Sequence, residues 1–345
     1  MRGTRIRAII YAFMAALFYA VNVPCSKVLL SDAAPTFMAG FLYLGAGIGV
    51  GIMYIFHFPH ESRKERLSKK DIPYTIGMVL LDIAAPILLM IGISIGSSAN
   101  ASLLGNFEIV ATTMVALVIF KEKVSWRLWI AIGLITASSI ILSFSGTDSL
   151  EFSIGSLFVI GATVCWGFEN NCTRNISDKS TYEIVTIKGL CSGTGSVIIA
   201  LILGEKLPDI KTILIILLLG YVAYGLSIFT YIRAQKTLGA AKTSAYYAIA
   251  PFIGVLLSFV VLKESISTTY IIALLVMLVG TGVIVYETLR YNHKHLHTHV
   301  ITHTHDGTTH THIIEHTHAH NHVINEGKHG HSHPASELHC DIHHT

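Results

Sequence analysis

Ser102-Leu103-Leu104-Gly105-Asn106-Phe107-Glu108-Ile109 runs on through one apolar stretch to Lys121-Glu122-Lys123-Val124-Ser125. At an offset of 142 residues, Ser244-Ala245-Tyr246 runs through Ala250-Pro251 to Lys263-Glu264-Ser265-Ile266-Ser267. Each block is long enough to cross a bilayer and ends on a Lys-Glu pair. Two such blocks imply an internal duplication. In membrane proteins built that way, solute sites form where the halves meet.

Composition agrees. The 345-residue chain is 52% hydrophobic and 13% charged, against about 25% charged in soluble domains. Apolar runs of about 20 residues, the length that spans a bilayer, recur from residue 9 to residue 287. They predict ten spans, near 9–30, 36–56, 73–94, 99–120, 126–146, 153–172, 182–203, 211–232, 242–262 and 268–287. The first run is too long for a cleaved leader. Four of the five cysteines, Cys25, Cys165, Cys172 and Cys191, fall in or beside spans and read as small packing residues. The net charge of +3 is no sign of a nucleic-acid partner, because the cations mark membrane topology.

With residue 1 on the cytoplasmic side, inner segments hold sixteen Lys and Arg residues and outer ones hold three, Lys206, Lys211 and Lys263. That bias predicts cytoplasmic termini in a cell inner or plasma membrane. Five spans per half is odd, so the second half starts from the opposite face and the repeats are inverted. The expected units are 1–146, 147–290 and a tail over 291–345.

The duplication extends to spans one and six. Phe18-Tyr19-Ala20-Val21-Asn22-Val23-Pro24-Cys25-Ser26-Lys27 matches Cys165-Trp166-Gly167-Phe168-Glu169-Asn170-Asn171-Cys172-Thr173-Arg174, setting Asn22 against Glu169 and Lys27 against Arg174. On these residues the chain resembles the drug/metabolite transporter superfamily, EamA family. Trp166 to Asn170 is similar to the opening motif of that family's second repeat. Gly239-Ala240-Ala241-Lys242-Thr243-Ser244, with Ala250-Pro251 and Lys263-Glu264, is similar to its ninth-span motif. Glu108 before Lys121-Glu122 resembles the first-repeat version, with Ile109 where that motif often has proline. The resemblance implies an all-α polytopic membrane protein of ten transmembrane helices in two inverted five-helix repeats. It also implies a secondary transporter of small metabolites or drug-like solutes, often outward and often proton-coupled.

An ionised side chain at mid-bilayer costs roughly 2.5–3.5 kcal/mol on insertion scales, so it must be paired or line a wet cavity. The candidates for transport or coupling are Glu108, Glu169, Asp82, Asn22, Asn100 and Asn170. On a continuous helix Ser97, Asn100 and Thr112 share a stripe with Glu108. Lys188 reads as a lysine snorkelling to the inner interface, and Lys27 and Arg174 as interfacial anchors. Tyr246 and Tyr247 could stack on a solute. The glycines of span two, Gly40, Gly45, Gly47, Gly49 and Gly51, suit close helix packing. No G-x-x-x-x-G-K-[ST] string is present, which points away from ATP hydrolysis and from an enzyme.

Eighteen of the 20 histidines fall between His293 and His344. Candidate metal ligands are His293, His295, His297, His299, His303, His305, His310, His312, His316, His318, His320, His322, His329, His331 and His333. Few large apolar residues accompany them, so a disordered metal-free tail is expected. Imidazoles in this density suit Zn, Ni, Co or Cu. No cofactor is required for the transport reading. Expected partners are the lipid bilayer, a small-molecule substrate and divalent metal ions, with a homodimer as one admissible assembly. Two alternatives stand beside the metabolite carrier: a divalent-metal exporter or metal-regulated transporter served by the tail, and a membrane-anchored metal buffer or sensor.

Overall fold

The computed structural model describes residues 2–62, 65–120, 125–145, 151–238, 243, 246–264, 267–305 and 308–323. The Lys121-Glu122 pair, the Gly239–Lys242 motif and the expected ligands His329, His331 and His333 lie outside them. The chain divides into two units, Met1–Val285 and Tyr286–Thr345.

The helices are α1 (Arg2–Ala20), α2 (Asn22–Leu29), α3 (Pro35–His57), α4 (Ile72–Ile95), α5 (Ser98–Leu104), α6 (Phe107–Phe120) and α7 (Trp126–Ser143), then, after the short antiparallel strands β1 (Phe144–Ser145) and β2 (Glu151–Phe152), α8 (Ile154–Arg174), α9 (Thr181–Ile202), α10 (Ile210–Gly220), α11 (Ser227–Leu238), α12 (Ala250–Leu262) and α13 (Thr268–Leu289). A π-helical turn over Tyr221–Leu226 joins α10 to α11. Starts follow local chemistry. Pro35 opens α3, where a missing N–H costs nothing. The side chains of Ser97, Ser153, Ser180 and Asp209 accept backbone N–H groups at the starts of α5, α8, α9 and α10.

Among the described residues eight segments are long and apolar enough to cross a membrane, not the expected ten. The two that fall short are still helical. The last two turns of α8 carry Glu169, Asn170, Asn171 and Arg174, which lower its apolarity. The described part of span nine is the 13-residue α12.

Among the described residues, two spans of the first half are broken. Span one turns at Val21, between α1 and α2. Span four turns at Gly105-Asn106, between α5 and α6, although position 109 is Ile and not the proline that the resemblance leads one to expect. The second half breaks at the equivalent place: Ala248 and Ile249 form a turn immediately before Ala250-Pro251. Paired breaks of this kind free backbone groups within a membrane, and they recur where solutes bind.

The halves interleave. The heaviest interfaces put α3 on α9, α4 on α8 and α1 on α11. The pairs α4–α8 and α1–α11 are equivalent under a shift of five spans. The α3–α9 seam is close, because Gly47 of α3 and Gly189 of α9 oppose each other backbone to backbone. Apolar side chains such as Leu80, Ile202, Leu218, Val260 and Leu275 are exposed on the outside of the bundle, as a lipid-facing surface requires. In such a setting close packing and interhelical hydrogen bonds hold helices together, since lipid is as apolar as leucine.

The tail does not follow the expectation of disorder throughout. β3 (Arg290–His305) pairs antiparallel with β4 (Thr308–Val323), from Arg290 opposite Val323 to His305 opposite Thr308. The physical reason is in its composition. Histidine alternates with Thr, Val and Ile, β-branched residues that suit a pleated strand. The two-residue link Asp306-Gly307 is a strong short-range hairpin signal.

Candidate functional site

Glu169, Asn170 and Asn171 are consecutive on α8, so they fan out about 100° apart and address three surroundings. Glu169 is buried, and its Oε1 lies 2.9 Å from Nζ of Lys188 on α9. The Thr173 hydroxyl, one turn along α8, donates to the same oxygen. Asn170 Nδ2 donates to Glu108 Oε1 at 2.7 Å and to Thr112 Oγ1 at 3.2 Å, both on α6. Asn171 Nδ2 donates to the carbonyls of Gly167 and Thr112 at 2.8 and 3.3 Å. One polar string thus ties α8 to α6 and α9 at mid-bundle.

Lys188 has a second partner. Its Nζ stands 3.1 Å from Asp82 Oδ2 on α4, and all three charged side chains are buried. The other oxygen of Asp82 accepts the Tyr43 hydroxyl of α3 at 2.9 Å. Asp82 sits one turn before Pro86, which has no N–H to give the Asp82 carbonyl and so loosens α4 at this level. Two carboxylates therefore share one ammonium across spans three, six and seven, drawn from both halves of the chain.

From Tyr43 the network continues through rings. Tyr43 and Tyr224 have centroids 5.0 Å apart, Tyr224 lies edge-on to Tyr19 at 5.8 Å, and Tyr19 is 5.9 Å from Tyr247. Asn22, at the start of α2, donates to the Tyr224 hydroxyl at 2.9 Å and accepts from Ser26. Tyr224 sits in the π-helical turn, the kind of widened turn that re-aims a side chain into a site. Tyr246 packs instead on Phe13, with centroids 5.4 Å apart.

The structure thus brings together Asp82, Glu169, Glu108, Asn170 and, through Tyr224, Asn22. It does not bring Asn100. The turn at Gly105-Asn106 takes α5 out of register with Glu108, and Asn100 Nδ2 reaches the Leu142 carbonyl at 3.4 Å. Ser97 bonds Glu264 instead. Lys188 is no snorkelling lysine, because two buried acids hold it inside. Nor is Lys27 simply an anchor: its Nζ meets the carbonyls of Ile93, Ser94 and Gly96 at 2.6, 3.2 and 2.7 Å, capping the end of α4. Tyr43 and Tyr224 were missed. The only hint in the sequence is a glycine one or two residues after each tyrosine, in Tyr43-Leu44-Gly45 and Tyr224-Gly225. Among the described residues of the helical unit no group of three or more His, Cys, Asp or Glu is placed to hold a metal ion.

Comparison with known proteins follows the same lines. The profile of the EamA-like transporter family matches residues 6–144 and again 153–286. The chain is 25% identical over 300 residues to an uncharacterized transporter of Methanothermobacter thermautotrophicus, covering 78% of this chain and 83% of that one. It is 22% identical over 261 residues to the uncharacterized transporter YyaM of Bacillus subtilis, covering 72% and 85%. One crystal structure superposes with a TM-score of 0.59 at 17% identity, over 80% of this chain and 94% of that chain, which shows a shared fold.

Proposed function

The chain belongs to the EamA-like transporter family, and on that premise we propose a secondary carrier for a small organic solute, working by alternating access and coupled to protons. In this reading it has ten spans in two inverted halves, with both ends of the chain in the cytoplasm. Solute leaves the cell through the space between the halves.

One observation carries the reading: a single buried ammonium, Lys188, is shared by Asp82 and Glu169. With all three groups ionised, the set holds one uncompensated negative charge. In a membrane interior such a charge must be neutralised or hydrated. A proton on Asp82 or Glu169 neutralises it, and so does a cationic group on the solute. Either one weakens that acid's hold on Lys188 and so loosens one of α4, α8 and α9 from the others. Charge state at the site and packing between the halves are thereby linked. Glu108, held by Asn170 on α8, is the third acid of the pathway, and the tyrosines give the solute an aromatic wall. The turns at Val21 and Gly105-Asn106 are where the broken spans hinge.

The test is flux in proteoliposomes carrying an entrapped pH dye, challenged with amines, amino acids, organic acids and nucleosides in turn. The expected result is proton movement driven by one solute class, abolished in Glu169→Gln and Asp82→Asn. Undiminished flux in both variants refutes the reading.

A further inference from the structure

The carrier reading leaves the histidines of the tail unused, and the pairing of β3 with β4 gives them an arrangement. We propose that this hairpin is a one-faced histidine ladder that binds divalent transition-metal ions between its two strands. The inference is independent of what the helical unit carries.

Within each strand, histidine occupies every second position or multiples of it, which the sequence alone displays. How the strands align is a separate matter. Because side chains alternate faces, a slip of one residue would set the six histidines of β4 on the face opposite to the six of β3. The observed register does the reverse. His293 stands opposite His320, His295 opposite His318 and His297 opposite His316. All twelve histidines of the two strands share one face. Arg290, Lys294 and Glu315 fall on the other face, with Thr, Val and Ile.

Directly opposed residues have Cβ atoms roughly 4.5–5.5 Å apart, and same-face neighbours along a strand are about 6.4–6.8 Å apart. Two successive rungs therefore bring four histidine positions together on one face, and an ion such as Zn²⁺ takes four ligands in a tetrahedron, its nitrogen ligands at about 2.0–2.1 Å. The rungs 293/320, 295/318 and 297/316 place six histidine positions in succession on that face. The ions this set suits are Zn²⁺, Co²⁺ and their neighbours, for which neutral imidazole is a preferred ligand. A loose chelating tail with the same composition would be indifferent to phase; a ladder depends on it.

That difference defines the experiment. In the full chain, purified in detergent, three adjacent pairs on β4 are exchanged: His316→Thr with Thr317→His, His318→Ala with Ala319→His, and His320→Asn with Asn321→His. Composition is unchanged and three rungs are put out of phase. Co²⁺ alone is the probe, read by affinity and by its visible absorption, which is intense for tetrahedral sites. The native chain is expected to show the tetrahedral spectrum, and the exchanged chain to bind at least tenfold more weakly and lose it. Equal affinity and spectrum in the two chains overturn the ladder, as does a native chain without the tetrahedral band. A second variant guards the face assignment: Thr298→Ala with Thr317→Ala, both on the opposite face, is expected to bind like the native chain. A tenfold loss in that variant counts against the proposal.

Discussion

Glu205 caps the start of α3 directly, and Glu61 reaches the start of α9 through its cap residue, Ser180. Glu205, which follows α9, accepts the backbone N–H groups of Thr36 and Phe37 at 3.3 and 3.0 Å. Glu61, which follows α3, accepts the hydroxyl of Ser180, the residue that caps α9. The two acids are 144 positions apart and hold opposite ends of the same helix pair. Each half thus closes the other's first turn with a carboxylate, a favourable charge for a helix N-terminus. Glu205→Ala is expected to cost ~0.5–2 kcal/mol, the range for loss of a helix cap. Glu61→Ala should cost more, because Glu61 also accepts the Tyr54 hydroxyl at 2.8 Å and pairs with Arg66 at 3.6 Å, and the double variant the sum, since the two acids share no partner. Melting in detergent measures all three, and a strongly non-additive double variant would show that the ends communicate.

Lys188 carries the sharpest stability prediction. Lys188→Met leaves Asp82 and Glu169 buried with no counter-charge, and breaking a buried pair in this way typically costs ~3–5 kcal/mol. Glu169→Gln should cost clearly less, because Lys188 keeps Asp82. The expected order of melting temperature is native, then Glu169→Gln, then Lys188→Met. Adding Asp82→Asn and Glu169→Gln to Lys188→Met should restore part of the loss, since it removes the stranded charges. Equal melting of Lys188→Met and Glu169→Gln would mean that the ammonium is not the shared counter-ion.

Glu108 separates chemistry from packing. Gln in its place still offers an oxygen to Asn170 Nδ2, so Glu108→Gln should melt within about 1 kcal/mol of the native chain. If Glu108 exchanges a proton during the cycle, the same variant loses proton-coupled flux. Glu108→Leu also removes the acceptor, and the Asn170 amide then lacks a partner at a cost of ~1–3 kcal/mol. Flux by Glu108→Gln at the native rate would assign this acid to packing alone.

The bundle was legible because the bilayer imposes one rule on every span: about twenty apolar residues or a good reason to have fewer. Spans one to five, seven, eight and ten obey it. Spans six and nine depart from it at the polar end of α8 and at the Ala248-Ile249 turn, both near the site. The acids were legible too, since a carboxylate in an apolar run is conspicuous. Their partner was not. Lys188 lies 19 residues from Glu169 and 106 from Asp82, and only the packing of α9 on its neighbours joins them. A lysine a turn and a half into a span reads just as well as one reaching for the interface. The break in span four has its own signal in Gly105-Asn106, a pair that favours a turn without any proline at position 109. In the tail each strand's phase was plain, whereas register depends on pairing across the Asp306-Gly307 link.

The last prediction ties the helix seam to the site. A Cβ built on Gly189 would stand 2.3 Å from the Gly47 nitrogen, 2.4 Å from its Cα and 2.7 Å from the Tyr43 carbonyl oxygen, all backbone atoms of α3. No rotamer change relieves such a clash, so Gly189→Ala must push α9 away from α3. Those helices carry Lys188, next in the chain to Gly189, and Tyr43, whose hydroxyl bonds Asp82. The displacement therefore opens the charge network as well as the seam, and both melting temperature and flux should fall. Gly133 of α7 is the control: a Cβ there meets nothing within 4 Å. Relief of glycine's poor helix propensity should make Gly133→Ala more stable by ~0.8–1 kcal/mol. A Gly189→Ala chain that melts with Gly133→Ala and transports normally would mean that α3 and α9 do not approach backbone to backbone, and the shared ammonium would lose the rigid seam that positions it.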